Sequence, residues 1–263
     1  MTRTLTKFVA VTALFLFATL SLQAGKISAY YDAPYADAST VKSKLKKAGF
    51  TVLTTYSPAS KSYLKVLVFT NAKLKSAASK KLRGFAAIQR VLVDTKTKTV
   101  RVTNPEYWLK AFLQKDYSAG TAKSVKASIE KALGSLKPTK DQLDSSSLAK
   151  YHYALGMPYY QDMTELKGHT VKAGKALFTL KLNNGATLVG VKMSKATEKF
   201  IESIGEDKAL LLPYTVLFEN GKAYALAGKY YLALSYPLLS LGQFMKISST
   251  PGAIERKLKK AVK

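Results

Sequence analysis

The feature that most constrains this chain is that its two halves repeat one another. Residues 90–112 (RVLVDTKTKTVRVTNPEYWLKAF) and 215–236 (TVLFENGKAYALAGKYYLALSY) each pass from an apolar strand through a polar turn and an alternating strand into an aromatic-rich stretch. Val91-Leu92-Val93 aligns with Val216-Leu217-Phe218, Lys98 with Lys222, and Tyr107-Trp108 with Tyr231-Leu232. Upstream, LKVLVFTNAKLKSAASKKL matches ATLVGVKMSKATEKFIESI; downstream, GTAKSVKASIEKALG matches TPGAIERKLKKAVK. The same elements in the same order, offset by about 125 residues, read as a tandem duplication. The turn-rich Lys137-Pro138-Thr139-Lys140 then divides a first repeat, 25–137, from a second, 138–263.

Within the first repeat, KISAYY (26–31) reads as a strand, and Ser39 or Thr40 caps a helix running to Lys47, with Val41 and Leu45 on one face and Gly49 beyond its end. Residues 50–56 and 63–70 are rich in β-branched and aromatic residues and read as strands. Residues 72–83 read as a lysine-coated helix, 87–94 and 98–104 as a hairpin, and 120–134 as a helix with Val125, Ile129 and Leu133 on its inner side. In the second repeat, hairpins are expected across Asn184-Gly185 and Asn220-Gly221, and helices over 145–155, over 195–204 and after Pro251-Gly252. The opening strand and helix have no evident equivalent there. This order of elements suits an α+β fold, an antiparallel sheet with helices on one face.

Val91–Trp108 with its Asn104-Pro105, and Leu212-Pro213 ahead of TVLFENGKAY, resemble the domain-of-unknown-function 302 family. The resemblance spans 40–135 and 176–262, and tandem copies occur in that family. It implies two TBP-like α+β repeats, each a curved antiparallel sheet with helices on one face. Each copy keeps part of the pattern: the first has Ile88-Gln89 where the second has Leu212-Pro213, and the second has Gly228-Lys229 in place of Asn104-Pro105. The family has no established activity, so the resemblance implies a fold rather than a chemistry.

Residues 1–24 read as a signal peptide: Arg3 and Lys7, an apolar run from Phe8 to Leu22, then small Ala24. Export to a bacterial periplasm is expected, with an uncleaved anchor as the alternative; no later segment reaches the roughly 20 apolar residues of a spanning helix. The chain carries 42 Lys and Arg against 16 Asp and Glu, a net +26 that becomes +24 without the leader. Outside the cytoplasm such a charge points away from nucleic acid and toward an anionic envelope component or an acidic protein. Only five of the basic residues are arginines, so lysine point charges outnumber the bidentate forks that geometric recognition uses. The first repeat holds two thirds of the excess, and the absence of cysteine excludes disulfides, thiolate nucleophiles and Cys-ligated metals.

No constellation for catalysis emerges. His152 and His169, with Asp162 and Glu165 between them, match no helical metal-binding spacing, and no Gly-x-Ser-x-Gly elbow or phosphate loop occurs. No catalytic residue, metal ligand or cofactor is therefore expected. The candidate binding residues are Tyr107, Trp108, Tyr230 and Tyr231, at equivalent ends of the repeats, and lysines of two basic runs, Lys42 and Lys46 in the first and Lys80 and Lys81 in the second. The aromatic residues equally suit the seam between repeats, and the lysines a solvated helix face. The leading expectation is a non-enzymatic binding protein for an anionic partner. The alternatives are a carrier holding a small apolar molecule between sheet and helices, and an enzyme with an unrecognised polar site. Nothing in the residues selects an oligomeric state.

Overall fold

Apolar strands and lysine-coated amphipathic helices alternate along the chain and assemble into a mixed α+β architecture. The computed structural model describes residues 25–263, so the expected leader lies outside the described residues. The first half contains β1 (Lys26–Ser28), β2 (Tyr30–Ala33), α1 (Ala38–Lys47), β3 (Thr51–Tyr56), β4 (Leu64–Thr70), α2 (Ala72–Ala78), β5 (Gln89–Asp94), β6 (Thr99–Thr103), α3 (Pro105–Leu113) and α4 (Ala119–Leu133). There follow β7 (Lys137–Pro138), β8 (Gln142–Asp144), β9 (Thr164–Leu166), β10 (Ala176–Lys181), β11 (Thr187–Val191), α5 (Lys195–Glu198) and α6 (Phe200–Ile204). The chain closes with β12 (Tyr214–Glu219), β13 (Lys222–Ala225), α7 (Gly228–Ser235), α8 (Leu241–Lys246) and α9 (Thr250–Ala261). No helix among the described residues is long and apolar enough to cross a membrane.

Two antiparallel sheets dominate, ordered β3-β4-β5-β6-β2-β7 and β10-β11-β12-β13-β9, beside a small ribbon of β1 and β8. The orders correspond in part: in each, two hairpins lie side by side and a strand from earlier in the chain pairs with the last of them, β2 against β6 and β9 against β13, with β7 added outside β2 in the first sheet. Asn220 and Gly221 both adopt positive φ, at 51° and 75°, as a two-residue turn between β12 and β13 requires.

Several expectations are corrected in detail. Asp37, rather than Ser39 or Thr40, caps α1 by accepting from the Ser39 and Thr40 amides, because an aspartate one turn earlier reaches both orphan N–H groups. The strand expected over 26–31 breaks at Ala29, and its two pieces join different sheets. The helix expected over 72–83 ends at Ala78, and that over 195–204 splits into α5 and α6. Residues 145–155 form only a single turn at Leu148–Lys150. Lys137-Pro138, read as the boundary, adds an edge strand to the first sheet opposite Tyr31 and Asp32, a position that tolerates proline. Both aromatic-rich stretches are helices, α3 and α7. In the second half β9 supplies the opening strand, with no helix between it and β10.

All six residues of β5 are buried, which an alternating strand achieves only when both its faces are covered. On the helical side, α1 lies against β3 and β4, and α4 against α1, α2 and α3. The second half supplies further cover: residues 206–211 pack on β5 and β6, while residues 84–87 of the first half pack on β11 and β12. Each segment precedes the strand that stands third in the order of its own sheet, β5 or β12, so the two halves clasp each other reciprocally. The approach is close: a Cβ built on Gly84 would clash with the Leu217 side chain. Polar contacts fix the clasp. The Leu82 amide donates to Glu219 at 2.9 Å, Tyr63 to Glu206 at 2.7 Å, and Arg90 Nη2 to the Pro213 carbonyl at 3.1 Å.

The last carbonyls of α7 have no intrahelical donors, and they end inside the protein. Three tyrosines from outside the helix meet them: Tyr151 donates to Ala233 O at 3.2 Å, Tyr107 to Leu234 O at 2.7 Å and Tyr30 to Ser235 O at 2.9 Å. Burial raises all three phenols above their ordinary range, so each remains a donor. Tyr107→Phe leaves the Leu234 carbonyl unpaired in a dry interior. The expected loss is about 1–3 kcal/mol of unfolding free energy, read by urea denaturation; an unchanged midpoint would show that the bond carries no stability.

Candidate functional site

The turn after α2, the α3–α4 connection and the segment 149–161 surround a cleft of about 970 Å³. Its walls bring together Lys80, Lys81, Arg83, Lys115 and Lys150 with Leu82, Ala149, Tyr159, Gln114 and Gln161, and Asp116 is the one acid among them. Arg83 neutralises that acid, its Nε lying 3.2 Å from Asp116 Oδ2, while its guanidinium sits over the Tyr160 ring at 5.3 Å. The four lysines form no ion pair within 4 Å among the described residues. The cleft therefore offers an uncompensated positive field over partly apolar walls. Two of its residues, Leu82 and Gln114, hold φ of 56° and 52°, a strained region for side chains of that size. Tyr160 anchors the outer wall by donating to the Leu82 carbonyl at 2.6 Å.

The structure separates the sequence candidates into three groups. Lys80 and Lys81 stand exposed at the cleft. Lys42 and Lys46 are exposed on α1, which contributes nothing to its walls. Their neighbours Lys44 and Lys47 instead line a separate hollow with Lys131. Tyr107, Trp108, Tyr230 and Tyr231 are inside the protein, at most 4% exposed. Trp108 donates to the Ala29 carbonyl at 2.9 Å and meets the Tyr231 ring edge-on at 6.0 Å, so these rings join the two halves rather than face a ligand. Sequence reasoning passed over Arg83, Lys115, Lys150 and Tyr159, which come from three separate segments. Spacing along the chain carries no sign of their convergence.

Elsewhere the polar chemistry is sparse. His152 packs against Tyr159 with ring centroids 4.4 Å apart and planes tilted by 40°, the His169 amide donates to the carbonyl of Lys263, and no group of three His, Cys, Asp or Glu among the described residues is placed to hold a metal. A second hollow of about 440 Å³, between the halves, gathers Asp32, Asp141 and Asp207 with Arg101 and Lys208. Its charges are satisfied internally: Arg101 bridges Asp32 and Asp207 at 2.8 and 2.7 Å, and Lys208 holds Asp141 at 3.2 Å. Arg90 is buried with no carboxylate partner; it meets the Pro213 carbonyl and the Tyr231 ring, and its Nε has no acceptor.

Glu198 is the exceptional carboxyl. It is buried in α5, and the desolvation lifts it from 4.5 to about 7, opposed by the Ala59 N–H at 2.6 Å and the Lys192 charge. Ala59 and Ser60 both have positive φ, so Glu198 ties down a strained corner of the first half. No nucleophile or second carboxylate bonds to it.

No family model, curated protein or solved structure matches the chain.

A carboxyl that keeps its proton to about pH 7 when folded, but releases it near 4.5 when unfolded, lowers stability progressively across that interval and by a constant amount above it. Glu198→Gln retains an oxygen for the Ala59 amide and abolishes the titration. The variant is expected to equal the parent near pH 4 and to exceed it by about 3 kcal/mol at pH 8. Urea unfolding across this pH series checks the sign; a parent that gains stability between pH 5 and 7 relative to the variant would refute it.

Proposed function

We propose that this chain is an exported, non-enzymatic periplasmic protein that binds an anionic component of the cell envelope in the basic cleft. The observation that carries the reading is the convergence of Lys80, Lys81, Arg83, Lys115 and Lys150 on one cleft in which a single acid is already paired. The apolar walls narrow the ligand class. Leu82, Ala149 and the ring of Tyr159 suit an apolar body, and the lysines suit an anionic head, so an anionic amphiphile fits better than a bare ion or a purely apolar molecule. This merges the anionic partner and apolar cargo anticipated from the sequence, and it moves the cargo from between sheet and helices to the outer seam. The sheet–helix interior is filled: Leu45, Leu109, Val125 and Ile129 are fully buried there.

The same proposal includes the chain's origin. The partly corresponding strand orders of the two sheets support a tandem duplication of a unit resembling the domain-of-unknown-function 302 family. The leader-like residues 1–24 support export.

Dodecyl phosphate below its micelle concentration is a suitable probe, with dodecyl maltoside as the uncharged control. Titration calorimetry is expected to show binding of the phosphate alone, weakening steeply between about 20 mM and about 300 mM salt as the Debye length contracts. The paired reversal Lys80→Glu, Lys81→Glu should weaken it by roughly 10-fold to 100-fold, about 1.4–2.8 kcal/mol, at unchanged thermal stability. Equal binding of the maltoside, or indifference to the reversal, would rule the reading out.

A further inference from the structure

The surface beside the cleft carries large apolar side chains that the fold leaves in water. Leu155 is 100% exposed, Leu241 69%, Met245 62% and Leu238 57%. Isolated exposed leucines need no explanation, but these occupy two neighbouring segments held together by one contact. Tyr153 stacks on Phe244 with ring centroids 6.1 Å apart and planes 16° from parallel, which fixes the loop carrying Leu155 to α8. Leu241 and Met245 are four residues apart on α8 and so share one face. The Ser240–Gln243 capping box holds this short helix in shape. A second contact, His152 on Tyr159 at 4.4 Å, joins the same loop to the wall of the basic cleft. Apolar tips and cationic cleft thus belong to one continuous surface.

The two segments themselves are one-sided in charge. Residues 145–161 and 220–254 contain no aspartate or glutamate and carry Lys150, Lys222, Lys229 and Lys246. Of the acids beside them, Asp162 accepts from the Tyr159 amide, Glu165 pairs with Lys222, and Glu202, across a hollow from Lys246, pairs with Lys61. The carboxylates that share a hollow with Leu238, those of Asp32, Asp141 and Asp207, are engaged by Arg101 and Lys208. A protein partner with an apolar socket would leave the surrounding field and the chain's positive excess unused. An anionic bilayer uses both, because its phosphates attract the lysines while leucine and methionine enter the acyl boundary and tyrosine suits the headgroup level.

We propose that Leu155, Leu238, Leu241 and Met245 form a membrane-docking ridge that seats the cleft against an anionic phospholipid surface. It rests on the reading of the cleft as a site for an anionic amphiphile, since docking places the cleft mouth where such molecules reside.

The test uses protein expressed from the full chain and purified in the form the cell leaves it. Because the chain has no cysteine, Leu155→Cys and Thr97→Cys each accept one environment-sensitive dye, the latter in the exposed turn between β5 and β6. With phosphatidylglycerol vesicles, the dye at 155 is expected to brighten and shift blue while that at 97 does not, and phosphatidylcholine vesicles should leave both unchanged. The pair Leu241→Asp, Met245→Asp should weaken vesicle binding at least 10-fold without lowering thermal stability or affinity for monomeric dodecyl phosphate. An unshifted dye at 155, including the case in which vesicles are held only by residues 1–24, overturns the ridge, as does full vesicle binding by the Asp pair. Such a failure is separable from failure of the cleft, which would appear as lost phosphate binding in the parent itself.

Discussion

The buried C-terminus of α7 is the constraint on which the rest of the molecule depends. A helix end in a dry interior presents carbonyls that water cannot reach, and each must find a donor or cost stability. Here Tyr30, Tyr107 and Tyr151 supply those donors from β2, α3 and the segment between the halves. Three separate pieces of chain are therefore held to one helix terminus. Phenols suit the task because each delivers one hydroxyl at the end of a large apolar ring, so the bond and the surrounding packing are made together. The same device recurs nearby, with Tyr231 donating to Leu211 O, Tyr214 to Leu226 O and Tyr236 to Lys208 O.

The basic cleft inherits its shape from this arrangement. Its outer wall is the segment that Tyr151 fastens to α7 and Tyr160 fastens to Leu82. Tyr160 also packs edge-on to Phe85 and Tyr230, which places the cleft floor directly on the interior that joins the halves. Movement of that segment would open the cleft only by breaking donors to buried carbonyls. The walls that bring Lys80, Lys81, Lys115 and Lys150 together are consequently held by groups other than those lysines.

The strands and longer helices were legible because each is specified locally. Val41 and Leu45, or Val125 and Ile129, declare a face at helical spacing, and Asn220-Gly221 declares a turn by its backbone demands alone. The helix α7 was not legible, because it is buried nearly all round and an apolar run without a polar face has no periodicity to read, whereas α3 does carry a narrow polar stripe, Glu106 and Lys110, after its Asn104 cap and Pro105. The clasp of residues 84–87 and 206–211 was likewise hidden, since it depends on where the second sheet lies. Lys80 and Lys81 were found by their density in the sequence; Lys115, Lys150 and Tyr159 join them only through the path of the chain.

Arginine and lysine divide their labour along the same line. Of the four arginines among the described residues, Arg83, Arg90 and Arg101 are spent on internal contacts, with Asp116, the Pro213 carbonyl, and Asp32 together with Asp207, while Arg256 is exposed on α9. Two of these three tie one half to the other. The planar fork can satisfy several acceptors at a fixed angle while remaining weakly hydrated, so it tolerates the interior where an ammonium would demand water. The lysines keep that water, and for the same reason those at the cleft and around α8 remain available to a counter-charge outside the molecule. Arg90 and Arg101 are thereby committed to holding the two halves together, and the positive charge left at the surface is mostly lysine.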